Sequence, residues 1–363
     1  MTSALLLTGE AGDLLAVNVC QELGRRGMSV TAAGLTASGK MLRLSRYCKS
    51  YVGVASTRAE MEGEGDAVLD RIELLARECA ADYVIAANVP GSLCAARLRK
   101  RLPNLKYFPV PDPETLRLMD NKWTFYQFLM KHGLPSPRTW LIESREQARR
   151  LPLPLVLKPL NLSGSLGVHT VTTAAEIDFL FDGGEKHLRL PVLAQEFVSG
   201  QDGSLSFLAE NGRLNAWTVH LRRADGGRVY IEDERVVDLG RRFARASSYT
   251  GLANIGLRYN GPSRSEVKLI ECNPRVWSSL PLTEGLGVDF IGRGLEIAEG
   301  RIPPADSRAA TGECSNLRGI FRRLARGRRL SACEAACLRA AARDPLPIVG
   351  RGVLGLVGSG GAP

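Results

Sequence analysis

The chain reads as two folded units of different class: an α/β domain with a parallel, doubly wound sheet over residues 1–110, then a two-lobed α+β domain over 111–305. Three observations carry this. Short apolar runs alternate with helical patterns through the first hundred residues; a stretch with four prolines closes that rhythm; strand-like runs broken by only short helical segments follow. With 363 residues, 44% hydrophobic and 24% charged, the composition suits a folded protein with more than one sizeable core.

In order, ALLLT, MSVTAA and DYVIAA read as strands, with AGDLLAVNVCQELGRRG and DAVLDRIELLARECA as helices between them. The turn TGEAGDL lacks the G-x-G-x-x-G pattern, and no acid after MSVTAAG stands ready for a ribose, so the first domain carries no dinucleotide signature. RLPNLKYFPVPDPET, with Pro103, Pro109, Pro111 and Pro113, reads as a linker without regular structure. LRLMDNKWTFYQFLMKHG is an amphipathic helical stretch that Gly133 can stop. PLVLKPL, GVHTV, PVLAQEFV, GSLSFLAE, RLNAWTVHLR and RVYIEDE are strands of an antiparallel domain, and VVDLGRRFARASSY is a helix. GLANIGLRYN and SEVKLIECN form two strands joined by the turn NGPSRS, VDFIGRGLEIAEG is a closing helix, and SACEAACLRAAAR is a short helix in the remaining arm.

Charge is unevenly placed. From residue 301 onward eleven arginines face four acids, so +7 of the net +10 lies in the last stretch. The arm at 306–363, partly helical with a Gly-rich end, is therefore a solvated tail, a contact for nucleic acid or an anionic membrane, a cover for the cleft, or a homo-oligomer interface. No apolar run approaches the roughly 18 residues of a membrane span, and the N-terminus has no basic leader region. The eight cysteines show no CxxC pair and no histidines at zinc spacing, which predicts reduced thiols in a cytoplasmic protein.

Three constellations carry chemistry. In VLKPLNLSGSLGVHTV, Lys158 ends an apolar strand and Ser163, Gly164, Ser165 and Gly167 follow; such a loop can close over phosphates, although an ordinary hairpin turn has the same composition. In LAQEFVSGQDG, Gln195 and Glu196 end a strand and Asp202 follows a turn, so acceptors and backbone can meet an adenine and a ribose, or simply face water. In LIECNPRVWSS, Glu271 and Asn273 lie two apart on a strand and share a face, offering oxygens to a hard cation. Pro274 ends that strand, and Arg275 can reach a transferring phosphoryl group. His220, Arg222 and Arg223 in WTVHLRR are further polar candidates, and Trp277 is either pocket wall or core.

Taken in order, DNKWTFYQFLMKHGLPSPRT, PLVLKP, LSGSLGV, VLAQEFVSGQD and LIECNPR resemble the successive signatures of the ATP-grasp superfamily, across roughly residues 110 to 300. DNKWTF, GLANIGL and ECNPRVW are most similar to its carbamoyl-phosphate-synthase-like and carboxylate–amine ligase branch. The resemblance implies a Rossmann-like pre-ATP-grasp domain followed by a nucleotide lobe at about 115–198 and a larger lobe at about 199–305. It implies ATP with Mg²⁺ or Mn²⁺ as cofactors, and a small carboxylate and an amine as substrates. On the matching positions, Lys122 and Lys158 would hold phosphates and bracket the adenine, and Ser163 to Gly167 would cover the phosphates. Glu196, Phe197 and Val198 would meet the adenine, with Gln195 beside them and Asp202 near the ribose. Glu271 and Asn273 would bind metal, Arg275 would stabilise the phosphoryl group, and Arg222 or Arg223 would reach a substrate carboxylate or the γ-phosphate.

One departure matters. Where the family usually carries a second metal ligand on the strand before Glu271, this chain has Gly256. Asn254, Glu232 or Glu234 could substitute, one metal could suffice, or the cleft could serve a catalytically weak or inactive nucleotide sensor or scaffold.

Overall fold

In the first domain, β1 (Ser3–Thr8), β2 (Ser29–Gly34), β3 (Cys48–Gly53), β4 (Tyr83–Ala86) and β5 (Lys106–Tyr107) pair in parallel in the order β3-β2-β1-β4-β5. Ala4 and Leu6 of β1 enter one apolar cluster and Leu5 and Leu7 the other. The sheet is thus covered on both faces, which is why its strands are continuous apolar runs. This computed structural model describes residues 1–9, 14–35, 40–55, 60, 65–161, 167–182, 188–261, 267–305 and 310–350.

The proline-rich stretch departs from expectation. Lys106–Tyr107 pair with β4 as an edge strand, and Pro113 opens the helix Pro113–Asp120. Proline lacks only an amide that the first helical turn leaves unbonded anyway, and the Asp112 carboxylate caps the turn by accepting from the Glu114 and Thr115 amides at 3.0 and 2.9 Å. The helical stretch after it is also two helices. Asn121 breaks it, its side-chain oxygen accepting from the Trp123 and Thr124 amides at 2.9 and 3.3 Å to start a second helix at Lys122–Lys131.

β6 (Thr139–Ile142), β7 (Leu155–Pro159), β8 (His169–Val171) and β9 (Val192–Glu196) form an antiparallel sheet in the order β6-β9-β7-β8, covered by the helix Ala174–Phe181 through Ile177 and Leu180. β10 (Gln201–Glu210), β11 (Arg213–Arg222), β12 (Arg228–Ile231), β13 (Gly251–Tyr259), β14 (Val267–Asn273) and β15 (Gly312–Cys314) make a larger antiparallel sheet in the order β14-β13-β10-β11-β12-β15. Its apolar face, with Leu205, Phe207, Val219, Ile255 and Leu257, packs on the helices Lys122–Lys131 and Glu234–Ala246 through Phe125, Phe128 and Phe243. The parallel domain followed by antiparallel sheets is the fold class the sequence predicts.

The described part of the arm is packed against both domains. Tyr230, Leu282, Cys314, Ile320, Cys333 and Cys337 form one buried cluster that ties β15 and the helices Leu317–Ala325 and Ala332–Arg343 to the edge of the large sheet. Cys314 and Cys333 are joined by a disulfide, which corrects the expectation that all eight thiols are reduced; the other six cysteines are free. Folding of the arm, rather than any sequence spacing, brings the two together. At the end of the second helix Asp344 is buried, and its carboxylate accepts from Gln21 Nε2 at 2.9 Å, Ser45 Oγ at 2.6 Å and the Arg46 amide at 3.0 Å. Asp344→Ala leaves three donors of the first domain unsatisfied. The expected cost is about 2–4 kcal/mol in urea unfolding of the full chain; a loss below about 0.5 kcal/mol would contradict this anchoring role.

Candidate active site

Alternation alone would send Glu271 to the wrong side of β14. Val267 and Leu269 point into the apolar cluster, so a regular strand would place residues 271 and 273 there as well. The pairing with β13 shifts: Leu257 lies opposite Leu269, but Gly256 lies opposite Glu271, leaving Ile270 as an extra residue. This β-bulge reverses the phase, so that Cys272 is buried in the cluster while Glu271 and Asn273 emerge on the polar face. Burying an unpaired carboxylate instead would cost several kcal/mol, which fixes the register.

Gly256 and Asn254 stand on the same polar face, opposite Glu271 and Asn273 respectively. A Cβ at residue 256 would lie 3.0 Å from Glu271 Cγ, so the space for a side chain there is already taken by Glu271. Asn254 donates Nδ2 to Ser206 Oγ at 2.8 Å, which leaves its amide oxygen toward the face. Of the other substitutes considered, Glu234 is tied to Arg241, and Glu232 lies just past β12, four strands from β14.

Two lysines converge on this edge although each is almost fully buried, Lys122 at 6% and Lys158 at 4% exposure. Lys122, the first residue of its helix, lies 3.6 Å from Glu271 Oε2. Lys158 donates to Gln195 Oε1 at 2.9 Å and to the Ile270 carbonyl at 3.4 Å, and Gln195 in turn donates to Thr139 Oγ1 at 2.9 Å. Gln195 therefore positions Lys158 and does not face the cleft as a free acceptor. Burial pulls the Lys158 pKa down to about 8, against the pull of Glu271 upward and with a smaller push from Lys122.

Arg275 donates to Asn273 Oδ1 at 3.0 Å and to the Val276 carbonyl at 2.8 Å, and it lines a crevice where Ala86, Ser92 and Phe108 of the first domain meet the Pro274–Val276 turn. Asp120, within DNKWTF, also belongs to this cluster. Its carboxyl is raised by burial, while Arg275 and Lys122 hold it down and Glu271 adds to the rise. Its place immediately before the Asn121 cap was the available signal.

Between the lobes, Glu196 pairs with Arg138 at 3.2 Å, Phe197 is exposed, and the Val198 carbonyl accepts from Arg258 Nε at 3.0 Å. Arg258 also binds the Gly200 carbonyl and Asp202 Oδ1, both at 2.6 Å, and so staples this connection to β13. Arg258 was not singled out from sequence. Ser163, Gly164 and Ser165 lie outside the described residues; Gly167, next to them, adopts φ +68°, where a side chain would be strained and its Cβ would sit 2.9 Å from Pro159. Arg222 is exposed at the end of β11, away from the Glu271 edge; Arg223 pairs with Asp225 and Glu313, and Trp277 is buried against Phe290.

The donors at the β14 edge are hard oxygens: one carboxylate, one amide of its own strand and one cross-strand amide. No group of three His, Cys, Asp or Glu that could hold a metal occurs among the described residues. That set suits a cation such as Mg²⁺, which keeps much of its water and takes phosphate oxygens as further ligands.

A parallel domain precedes two antiparallel sheets, and two lysines, an arginine and a Glu-x-Asn pair gather at the β14 edge of the larger one. Residues 119–299 match the family model for the ATP-grasp domain, and the chain belongs to the ATP-grasp superfamily. It is 28% identical over 128 residues to D-alanine–D-alanine ligase of Bordetella avium, covering 34% of this chain and 40% of that one. It is 26% identical over 204 residues to the carbamoyl phosphate synthase large chain of Rubrobacter xylanophilus, covering 49% of this chain and 18% of that one. The chain thus spans less than half the length of these curated relatives. The L-amino acid ligase of Bacillus licheniformis shares the fold with a TM-score of 0.60 at 17% identity, over 84% of this chain and 78% of that one.

Because the folded pKa of Lys158 lies below the ordinary value of 10.5, the folded chain binds fewer protons than the unfolded one between about pH 8 and 10.5. The contribution of this lysine to stability therefore rises with pH across that window, and Lys158→Met should remove that slope from urea titrations at pH 8 to 10. Glu271→Gln should lower the Lys158 pKa further, read by NMR of the lysine side chain; an unchanged or higher value would contradict the coupling between them.

Proposed function

We propose that the chain is an ADP-forming carboxylate–amine ligase of the ATP-grasp superfamily. The observation that carries this is the bulge-exposed Glu271 and Asn273 beside Arg275, facing two buried lysines. Transfer of a phosphoryl group spreads charge over several oxygens, and groups that are fixed and partly desolvated compensate it best. Lys122, Lys158 and Arg275 are such groups. Glu271 and Asn273, with Asn254 beside them, are the residues that would hold Mg²⁺ or Mn²⁺, which when bound neutralises phosphate charge. Glu196, Phe197 and Val198 would meet the adenine, Asp202 the ribose, and the segment from Ser163 to Gly167 would cover the phosphates.

The chemistry is then two displacements. A substrate carboxylate oxygen attacks the γ-phosphorus of ATP and ADP leaves, giving an acyl phosphate; an amine attacks the acyl carbon and phosphate leaves, giving an amide. Arg275 would stabilise charge in the first step. A small carboxylate such as an amino acid or a peptide fits this reading, as the name of the D-alanine–D-alanine ligase relative suggests for that protein.

Gly256 favours a second reading, a nucleotide-binding sensor or scaffold that binds MgATP without turnover. Mg²⁺-dependent ADP release from pooled amino acids and small carboxylates, with hydroxylamine to trap the acyl phosphate, separates the two. The ligase gives ADP and a hydroxamate in equal amounts, whereas the sensor binds a fluorescent ATP analogue and gives neither. Once a substrate is found, Glu271→Ala should lower turnover some hundreds-fold, about 3–4 kcal/mol of transition-state stabilisation. Near-normal turnover would contradict the metal-ligand assignment.

A further inference from the structure

Most of the positive charge of the C-terminal segment sits in one loop. Between Cys314 and Cys333 lie six of its eleven arginines and no acid. The acids that flank the loop are already engaged. Glu313 pairs with Arg223, and Glu334, buried, pairs with Arg323 and accepts from the Ser331 amide at 2.9 Å. The other five arginines, at 318, 322, 326, 328 and 329, are exposed and have no ion pair with a described residue.

The helix Leu317–Ala325 gives the same loop an apolar side. Asn316 caps it, its side-chain oxygen accepting from the Gly319 amide at 2.8 Å, and Gly327, at φ +65°, ends it. Ile320 is fully buried and plugs the helix into the cluster around Tyr230. Leu317, Phe321 and Leu324, spaced four and three apart, share the neighbouring stripe, and there Phe321 is 58% and Leu324 44% exposed. Arg318 and Arg322, also four apart, border that stripe on the side away from Ile320. The Cys314–Cys333 disulfide closes the base of the loop, so a partner meets a patch that is already ordered and loses little freedom in fixing it.

We propose that this disulfide-closed loop docks the protein on the surface of bilayers containing anionic phospholipid, with Phe321 and Leu324 entering at the acyl boundary and the five unpaired arginines on the lipid phosphates. An apolar stripe bordered by arginine suits a helix lying in the plane of a membrane. A stripe this short binds weakly by itself, and the basic neighbours supply the second attraction. The contact needs no spanning helix, and no described helix is long and apolar enough to be one. Two other occupants fit less well. A second copy would bring the same five arginines to the contact, and a helix about 14 Å long offers far less than an interface of about 1,000 Å² requires. A nucleic acid would engage the arginines through its phosphates but would give aliphatic Leu324 no reason to leave water. The proposal is independent of the ligase reading.

The test is co-sedimentation of the full, non-reduced chain with vesicles of phosphatidylcholine, alone or mixed with phosphatidylglycerol. The chain should pellet with the anionic vesicles and not with pure phosphatidylcholine, and it should release as salt is raised. Phe321→Ser combined with Leu324→Ser should weaken binding about tenfold or more. Arg326→Gln combined with Arg328→Gln should weaken it about twentyfold. All four side chains are exposed, so thermal melting should be unchanged in both variants, as should affinity for a fluorescent ATP analogue. A wild-type chain that ignores anionic vesicles at low salt overturns the proposal, and this arm needs no variant. Binding that the serine pair leaves intact also overturns it, because the arginines alone would then account for adsorption. Tighter binding to single-stranded RNA than to anionic vesicles, kept by the serine pair, would give the loop to nucleic acid instead. A dimer that the serine pair dissolves would give it to a second copy.

Discussion

The site depends on one extra residue in one strand. Ile270 lets β14 bury Leu269 and Cys272, three apart, and still present Glu271 and Asn273 to the cleft. The same bulge frees the Ile270 carbonyl to accept from Lys158 of the other lobe. A backbone irregularity thus sets both the position of the acid and one anchor of the buried lysine. The remaining constraints follow from it: Glu271 occupies the space beside Gly256 and leaves Asn254 as the cross-strand partner of Asn273.

The electrostatics form a chain across the lobes. Thr139 fixes Gln195, Gln195 fixes Lys158, and Glu271 offsets part of the cost of burying Lys158 and Lys122. Arg258 joins Val198, Gly200 and Asp202, so the segment between the lobes is pinned to the same sheet that carries Glu271. A cluster of cations held apart from water has excess positive potential, which is the condition for gathering phosphate and carboxylate groups.

Much of this was legible in the sequence, for identifiable reasons. Strand and helix order followed from apolar periodicity, and the Glu-x-Asn-Pro-Arg cluster stood out because no strand needs it. The bulge was not legible: the alternation of Val267, Leu269 and Glu271 points the wrong way, and only pairing with β13 reverses it. The break at Asn121 was hidden because two capped helices share one amphipathic pattern. The Pro113 helix start is not legible locally, because proline breaks a helix interior yet suits its first turn. The disulfide and the buried Asp344 depend on contacts between segments far apart in the chain, and such contacts are not written in local composition.

The reversed phase of β14 sets Glu271 and Asn273 on the polar face, where the proposed function needs a metal and phosphate site. A crystal structure with Mn²⁺ and a non-hydrolysable ATP analogue tests it most directly. The account predicts an anomalous peak bridging phosphate oxygens and the side-chain oxygens of Glu271 and Asn273, at about 2.1 Å from each. A nucleotide bound elsewhere, or a metal that touches neither residue, would contradict it.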